Sequence, residues 1–186
     1  MVINPERTLY ILCGGKSRRM GTDKALLRLE GSTFLNRLIS RSRPFFREVV
    51  LLCAGNRYPD PLRHIADARL DIGPLGGLLA ALHDCDDQPH IAVLPVDSPR
   101  ISGQTLSYLA QAMPGPDLDA LIARSGTEVQ PLMGIYKVRV SKRLGPYLDG
   151  GGRRVMGFLD TVDYAFFDVG WKDISNINTP DDYKRL

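Results

Sequence analysis

The chain of 186 residues has only 3 cysteines, 3 histidines and 1 tryptophan, and no apolar run that approaches a membrane span. Cys13, Cys53 and Cys85 are widely separated, so the sequence offers neither a CxxC metal pair nor an even-numbered disulfide framework, and reduced thiols are expected. His64, His83 and His90 fall outside every motif, so no nucleophile or acid–base pair can be built around them. The net charge of +3 is small and the cations are spread among motifs, which argues against nucleic acid as a partner. The opening "MVINPERTLYIL" is too short and too charged for a secretory signal, so the expected location is the cytoplasm, with no membrane partner. With 44% apolar and 24% charged residues and no repeat or linker, residues 1–186 read as a single globular domain.

What is present is concentrated in "ILCGGKSRRMGTDKALL", residues 11 to 27, where an apolar strand breaks into a glycine-rich stretch carrying Lys16, Arg18, Arg19 and Lys24. Gly14, Gly15 and Gly21 let backbone N–H groups approach an anion closely, and the cations neutralise it. A triphosphate fits this better than a solvated turn does. The spacing is not that of a P-loop, because no Ser or Thr follows Lys24, and it is not the Gly-x-Gly-x-x-Gly of a dinucleotide fold.

Strand-like and helix-like segments alternate. "TLYILC" (8–13), "EVVLLC" (48–53) and "HIAVLPV" (90–96) read as buried strands, with a helix between the last two that carries Leu75, Leu78, Leu79, Leu82 and Cys85 on one face and Pro74 in its first turn. Phe34, Leu35, Leu38, Ile39, Phe45 and Phe46 form another helix stripe, with Arg37, Arg41 and Arg47 on a solvated face. Ser102 caps a helix burying Leu106, Leu109 and Met113, and "LDALIA" (118–123) returns as a strand. Later segments read as an extended "PLMGIYKV", a helix from Val140 to Leu148 broken near Gly145-Pro146, a second helix over "RRVMGFLDTV", a strand "YAFFDV" and a last helix capped by Thr179. The expected fold class is α/β: a Rossmann-like, doubly wound, mostly parallel sheet with an antiparallel or inserted segment in the later half. Ligands of such sheets bind beyond the carboxyl ends of the strands, where both the glycine-rich stretch and Asp97 lie.

Asp97, closing "HIAVLPVD", is the candidate Mg²⁺ ligand, since a strand-end carboxylate beside a triphosphate can share the ion with phosphate oxygens. "ADARLDIGPLGG" (66–77) brings Asp67 and Asp71 before Gly73, Gly76 and Gly77, which read either as a loop capping a helix or as glycines against whose main chain a flat base could lie. "DGGGRRVMGF" (149–158) sets three glycines before Arg153 and Arg154, a further place for an anion or a plain flexible turn. "DISNINTPDD" (173–182) contains Asn178 and a helix cap.

The thirteen residues from Leu12 to Lys24 resemble the signature of the molybdenum cofactor nucleotidyltransferases, an apolar residue, usually Ala, Gly-Gly-x-Ser-x-Arg-Met-Gly-x-Asp-Lys. "PVDSP", "GPLGG", "GRRV" and "NINTP" are similar, in order, to further elements of the guanylyltransferase (MobA) branch, with Gln130-Pro131 a shorter match. The resemblance implies a nucleotide-diphospho-sugar-transferase-like fold and Mg²⁺-dependent transfer of GMP from GTP to molybdopterin. It implies nucleotide contacts at Leu12, Cys13, Gly14, Gly15, Ser17, Lys24, Asp67, Gly73, Leu75 and Asp97, catalytic roles for Arg19, Lys24 and Asp97, and contacts to the second substrate at Arg153, Arg154 and Asn178. Partners so implied are GTP, molybdopterin and cofactor-synthesis or acceptor proteins. Two features depart from the pattern: Cys13 stands in place of the alanine, and the asparagine expected after the second strand has no counterpart around Leu52 and Cys53, where the loop is longer. The rivals are a cytidylyltransferase of the same fold, which would usually carry Ala-Ala-Gly and Pro-Lys, and a non-catalytic nucleotide sensor.

Overall fold

A computed structural model of the protein describes residues 6–13, 23–53, 58, 61–69, 72–85, 88–175, 177 and 182–183. In chain order the elements are β1 (Thr8–Leu12), β2 (Arg28–Leu29), β3 (Ser32–Thr33), α1 (Phe34–Ser42), β4 (Glu48–Leu52), β5 (His64–Ile65), α2 (Pro74–Asp84), β6 (His90–Pro95) and α3 (Gly103–Gln111). They continue as β7 (Ala120–Ser125), β8 (Glu128–Lys137), α4 (Ser141–Asp149), α5 (Val155–Leu159), β9 (Tyr164–Asp168) and α6 (Trp171–Ile174).

Seven strands form one sheet in the order β5-β4-β1-β6-β8-β7-β9, and β2 pairs with β3 in a separate hairpin. Only β8 runs against the rest, antiparallel to both β6 and β7. Its direction follows from the connections. The crossover through α3 carries the chain past one strand position to β7, and the two-residue turn at Gly126 (φ +59) folds β8 back into the gap. Gly134 of β8 is packed so closely that a Cβ there would lie 2.5 Å from the Leu121 carbonyl oxygen, beside the register shift at Ile122/Ala123. The expected antiparallel segment of the later half is this strand.

All five residues of β1 are buried because both sheet faces are covered. Leu9, Ile11, Val49, Leu51, Ala92 and Leu94 pack beneath α1, α3 and α6. Tyr10, Leu12, Val50, Leu52, Ile91 and Val93, on the alternate face, pack beneath α2, α4 and α5. Burying each of these aliphatic side chains contributes about 1.5–3 kcal/mol before entropy is counted.

Several expectations are corrected. Met113 is 66% exposed and lies beyond α3, which stops at Gln111 because Pro114 biases the preceding residue towards extended backbone. The helix α4 continues through Gly145 and Pro146; the missing proline N–H costs one bond, while Leu144 and Leu148 keep the helix seated in the core. The second helix of that region covers only Val155–Leu159. Cys85 is the half-buried C-cap of α2 and its thiol donates to Gln88 O at 3.3 Å. The short elements β2, β3, β5 and α6 have no counterpart in the sequence reading. The helix expected from Thr179 lies outside the described residues apart from 182–183.

Candidate active site at the carboxyl rim

β1 is the switch point of the sheet, with β4 on one side and β6 on the other. Neighbouring strand ends therefore deliver Cys13, Cys53, Asp67 and Asp97 to one rim. Val96 N–H donates to Leu12 O at 3.1 Å and Cys13 N–H to Leu52 O at 3.1 Å, so the pairing continues one residue past the strands.

Lys24 reaches this rim from a 3-10 turn spanning Lys24–Leu26. Asp23 caps the turn, its Oδ1 accepting from Ala25 N–H at 3.1 Å, and Ala25 is fully buried, which anchors the turn in the core. Lys24 Nζ lies 2.8 Å from Asp97 Oδ2, and both side chains are only 18% exposed. Asp97 follows β6 in a tight turn in which Ser98 N–H donates to Pro95 O and Ser98 itself is fully buried. Arg37 braces that turn, donating from Nε to Pro99 O at 3.1 Å while pairing with Glu30 at 2.8 Å. Arg37 is thus not the solvated residue its place on the helix suggested, and Arg41 is half-buried; of the three arginines only Arg47 is exposed. The Arg37 side chain reaches from α1 to the 97–99 turn and so meets protein there rather than water.

Among the described residues Asp97 Oδ1, which is buried, has no hydrogen-bond partner. Leaving a carboxylate oxygen in this condition costs about 1–3 kcal/mol or more, so Oδ1 favours a cation as its partner. A hard divalent cation with oxygen ligands fits the vacant acceptor. Among the described residues no three His, Cys, Asp or Glu side chains gather as a ready ligand set, so an ion held by Asp97 would draw its remaining ligands from water or phosphate.

On the far side of β1, Gly73 caps α2 with φ +72, and a Cβ built on it would meet no atom within 4 Å. Gly76 and Gly77 are different. A Cβ on Gly76 would sit 2.6 Å from Arg69 O, and one on Gly77 2.7 Å from Leu12 Cδ2 and 3.3 Å from Asp67 Oδ1. Where a side chain would project, both meet protein, so of the two readings of this element the helix-capping one describes Gly76 and Gly77. Burial raises the Asp67 carboxyl above its usual range. Leu12, Cys13 and Leu75 have buried side chains, so a nucleotide could meet only their backbone; the Cys13 thiol turns inward to Ile11 O at 3.5 Å.

The 149–154 turn is also corrected. Gly150, Gly151 and Gly152 donate their N–H groups to Pro146, Leu148 and Tyr147 carbonyls, capping α4 instead of facing an anion. Arg153 folds back onto Leu148 O at 3.0 Å and Gly152 O at 2.6 Å. Arg154 is exposed, with its carbonyl held by Tyr147 Oη at 3.0 Å. An Arg69–Asp149 pair at 2.7 Å joins this turn to the 67–77 region. Ile177 N–H donates to Asp97 O at 3.3 Å, which brings the residue before Asn178 to the metal-ligand candidate. Gly14, Gly15, Ser17, Arg19, Asp71 and Asn178 lie outside the described residues.

Sequence reasoning missed Asp173 and Tyr58. Asp173 is 5% exposed and accepts from Ser102 N, Ser102 Oγ and Thr105 Oγ1 at 2.7, 3.0 and 2.6 Å. No local pattern announces a contact spanning 71 residues. Tyr58 carried a weak signal, a lone aromatic in a polar segment.

A switch-point rim carrying a lysine and an unsatisfied carboxylate defines a nucleotide-handling α/β enzyme. The family model of the MobA-like NTP transferase domain matches residues 9–162, and the chain belongs to that family of nucleotidyltransferases. It is 35% identical to a probable molybdenum cofactor guanylyltransferase of Chloroflexus aggregans, covering 94% of this chain and 90% of that one. It is 30% identical to the molybdenum cofactor guanylyltransferase of Vibrio cholerae, covering 96% and 90%. The structure of molybdopterin-guanine dinucleotide biosynthesis protein A from Archaeoglobus fulgidus superposes with a TM-score of 0.81 at 25% identity, covering 96% and 95%. Likeness in fold alone extends to a CMP:2-keto-3-deoxy-manno-octonic acid synthetase, at a TM-score of 0.72 and 13% identity.

Proposed function

We propose that this chain transfers GMP from GTP to molybdopterin or its molybdenum form, releasing pyrophosphate, and that residues 1–186 act as one nucleotidyltransferase domain in the cytoplasm. The Lys24–Asp97 pair with its unsatisfied Oδ1 carries this reading, because it places a cation and a metal-competent carboxylate together at the nucleotide rim. Lys24, with Arg19, would neutralise the triphosphate once Nζ exchanges the carboxylate for phosphate oxygens. Asp97 would hold Mg²⁺, which when bound supplies further positive charge against the phosphates. Gly73 and the backbone of Leu12, Cys13, Gly14, Gly15, Ser17 and Leu75, with Asp67, would line the nucleotide side, and Arg154, Arg153 and Asn178 the second substrate.

The molybdopterin phosphate oxygen attacks the α-phosphorus, a new phosphoanhydride bond forms, and the α–β bond breaks as pyrophosphate departs. No side-chain nucleophile is needed, so the residues act by positioning and charge. The partners are GTP and molybdopterin, together with cofactor-synthesis or acceptor proteins. Incubation with Mg²⁺, molybdopterin and either GTP or CTP, followed by assay of pyrophosphate and the dinucleotide, is expected to give product with GTP. Product with CTP alone would overturn the guanine assignment, and saturable GTP binding without product would indicate a sensor.

A further inference from the structure

Tyr58 is 3% exposed although Asn56, Arg57, Pro59 and Asp60 surround it in sequence. Its ring packs in the core beneath α1 and lies 6.5 Å from the His64 ring at 52°. Its hydroxyl donates to Asp23 Oδ2 at 3.0 Å, with Cys13 O, at 3.3 Å, the second acceptor near the same proton. Asp23 is thereby gripped on both oxygens, Oδ2 by Tyr58 and Oδ1 by Ala25 N–H. The next residue is Lys24, which reaches Asp97.

We propose that Tyr58 is a positioning residue for nucleotide binding: acting through Asp23, it fixes the turn that carries Lys24 against the end of β1. The inference rests on the nucleotide reading above. A hydroxyl donating to a half-buried carboxylate is a charge-assisted bond with a defined direction, and a neutral core contact would not orient the carboxylate. Because Asp23 caps the turn, swinging its carboxylate swings the first residue of the turn, which is Lys24. Cys13 and Asp23 also flank residues 14–22, so one hydroxyl ties together the described residues on either side of that segment.

The test uses Tyr58→Phe, which keeps the ring, Asp23→Asn, which keeps an oxygen for the cap but not the charge, and the double variant. Binding of Mg·GTP by equilibrium titration, the KM for molybdopterin and Tm are measured on each. Tyr58→Phe is expected to weaken GTP binding about tenfold, the scale of one hydrogen bond to a charged group. The KM for molybdopterin stays within about twofold and Tm within about 3 °C, since the packed ring is retained. The double variant binds GTP no more weakly than Asp23→Asn alone, because both substitutions remove the same charge-assisted bond. A GTP affinity within twofold of the native value in Tyr58→Phe, or effects that multiply in the double variant, would overturn the proposal. So would equal losses for both substrates with a large fall in Tm. Native protein that binds no GTP would instead overturn the nucleotide reading, and this inference with it.

Discussion

Asp97 and Asp173 are two carboxylates beside the same stretch of chain, and their surroundings are opposite. Asp173 accepts three hydrogen bonds from the N-terminus of α3 and has every reason to stay as it is. Asp97 has one lysine on Oδ2 and, among the described residues, no donor on Oδ1. A buried carboxylate oxygen without a donor is the observation behind the metal role proposed for Asp97. Burial therefore does not separate Asp173 from the proposed metal ligand Asp97; hydrogen-bond satisfaction does.

The sharpest way to test the contrast is to remove each acid. Asp97→Ala is expected to lower turnover by about 10²-fold or more in saturating Mg²⁺ and GTP, while Tm stays within about 3 °C because an unsatisfied oxygen is also removed. Near-normal turnover would deny Asp97 its role. Asp173→Ala leaves the Ser102 and Thr105 donors stranded in a buried setting, and is expected to cost about 3 kcal/mol in urea denaturation. If Asp173→Ala were as stable as the native protein, hydrogen-bond satisfaction would not be the criterion that divides the two acids.

Much of this was legible from sequence because the informative residues are local. Pro74 in the first turn of α2, the Ser102 cap of α3 and the runs that became β1, β4 and β6 all carry their signals within a few positions. Asp97 was found because the end of a buried strand is itself a sequence pattern. Long-range partnership was not legible. Arg37 reads as a solvated helix residue until Pro99 is seen 3.1 Å from its Nε, and Gly76 and Gly77 read either as a helix-capping loop or as a surface for a base until Arg69 O and Leu12 are seen beside them. The 149–154 glycines failed for another reason: a glycine run before two arginines describes an anion cradle and a helix C-cap equally well, and only the direction of the N–H groups decides.

A third acid, Asp119, extends the comparison to charge. It is 5% exposed on its side chain, with Arg139 Nε at 2.7 Å, Arg143 at 3.4 Å and Asp163 N–H at 3.2 Å. Burial alone would raise its carboxyl, but the Asp163 N–H and the two arginines outweigh burial and hold it below the ordinary range. An acid depressed on folding contributes stability above its unfolded pKa of about 4 and loses it as pH falls through the folded value. Asp119→Asn is accordingly expected to be about 1 kcal/mol less stable at pH 7, or roughly 2–4 °C in Tm, with the gap closing in melts taken below about pH 4. A gap that widened on acidification would reverse the assigned sign.

The smallest effect is expected at Arg69–Asp149, the pair that joins the 67–77 region to the basic turn. It links the two proposed substrate sides and so invites a role in coupling them, yet the side chains are 37% and 66% exposed. Water screens a pair so placed, and holding two mobile side chains together offsets most of the attraction. By the criterion that separates Asp97 from Asp173, Asp149 has no unmet need, since solvent satisfies it. A double-mutant cycle over Arg69→Ala and Asp149→Ala should give a coupling of about 0.5 kcal/mol or less in stability, shrinking in high salt, and leave KM for both substrates within about twofold. A coupling several times larger that survived high salt would mean that the turn and the nucleotide side move as one unit, and that exposure had been weighed too heavily against geometry.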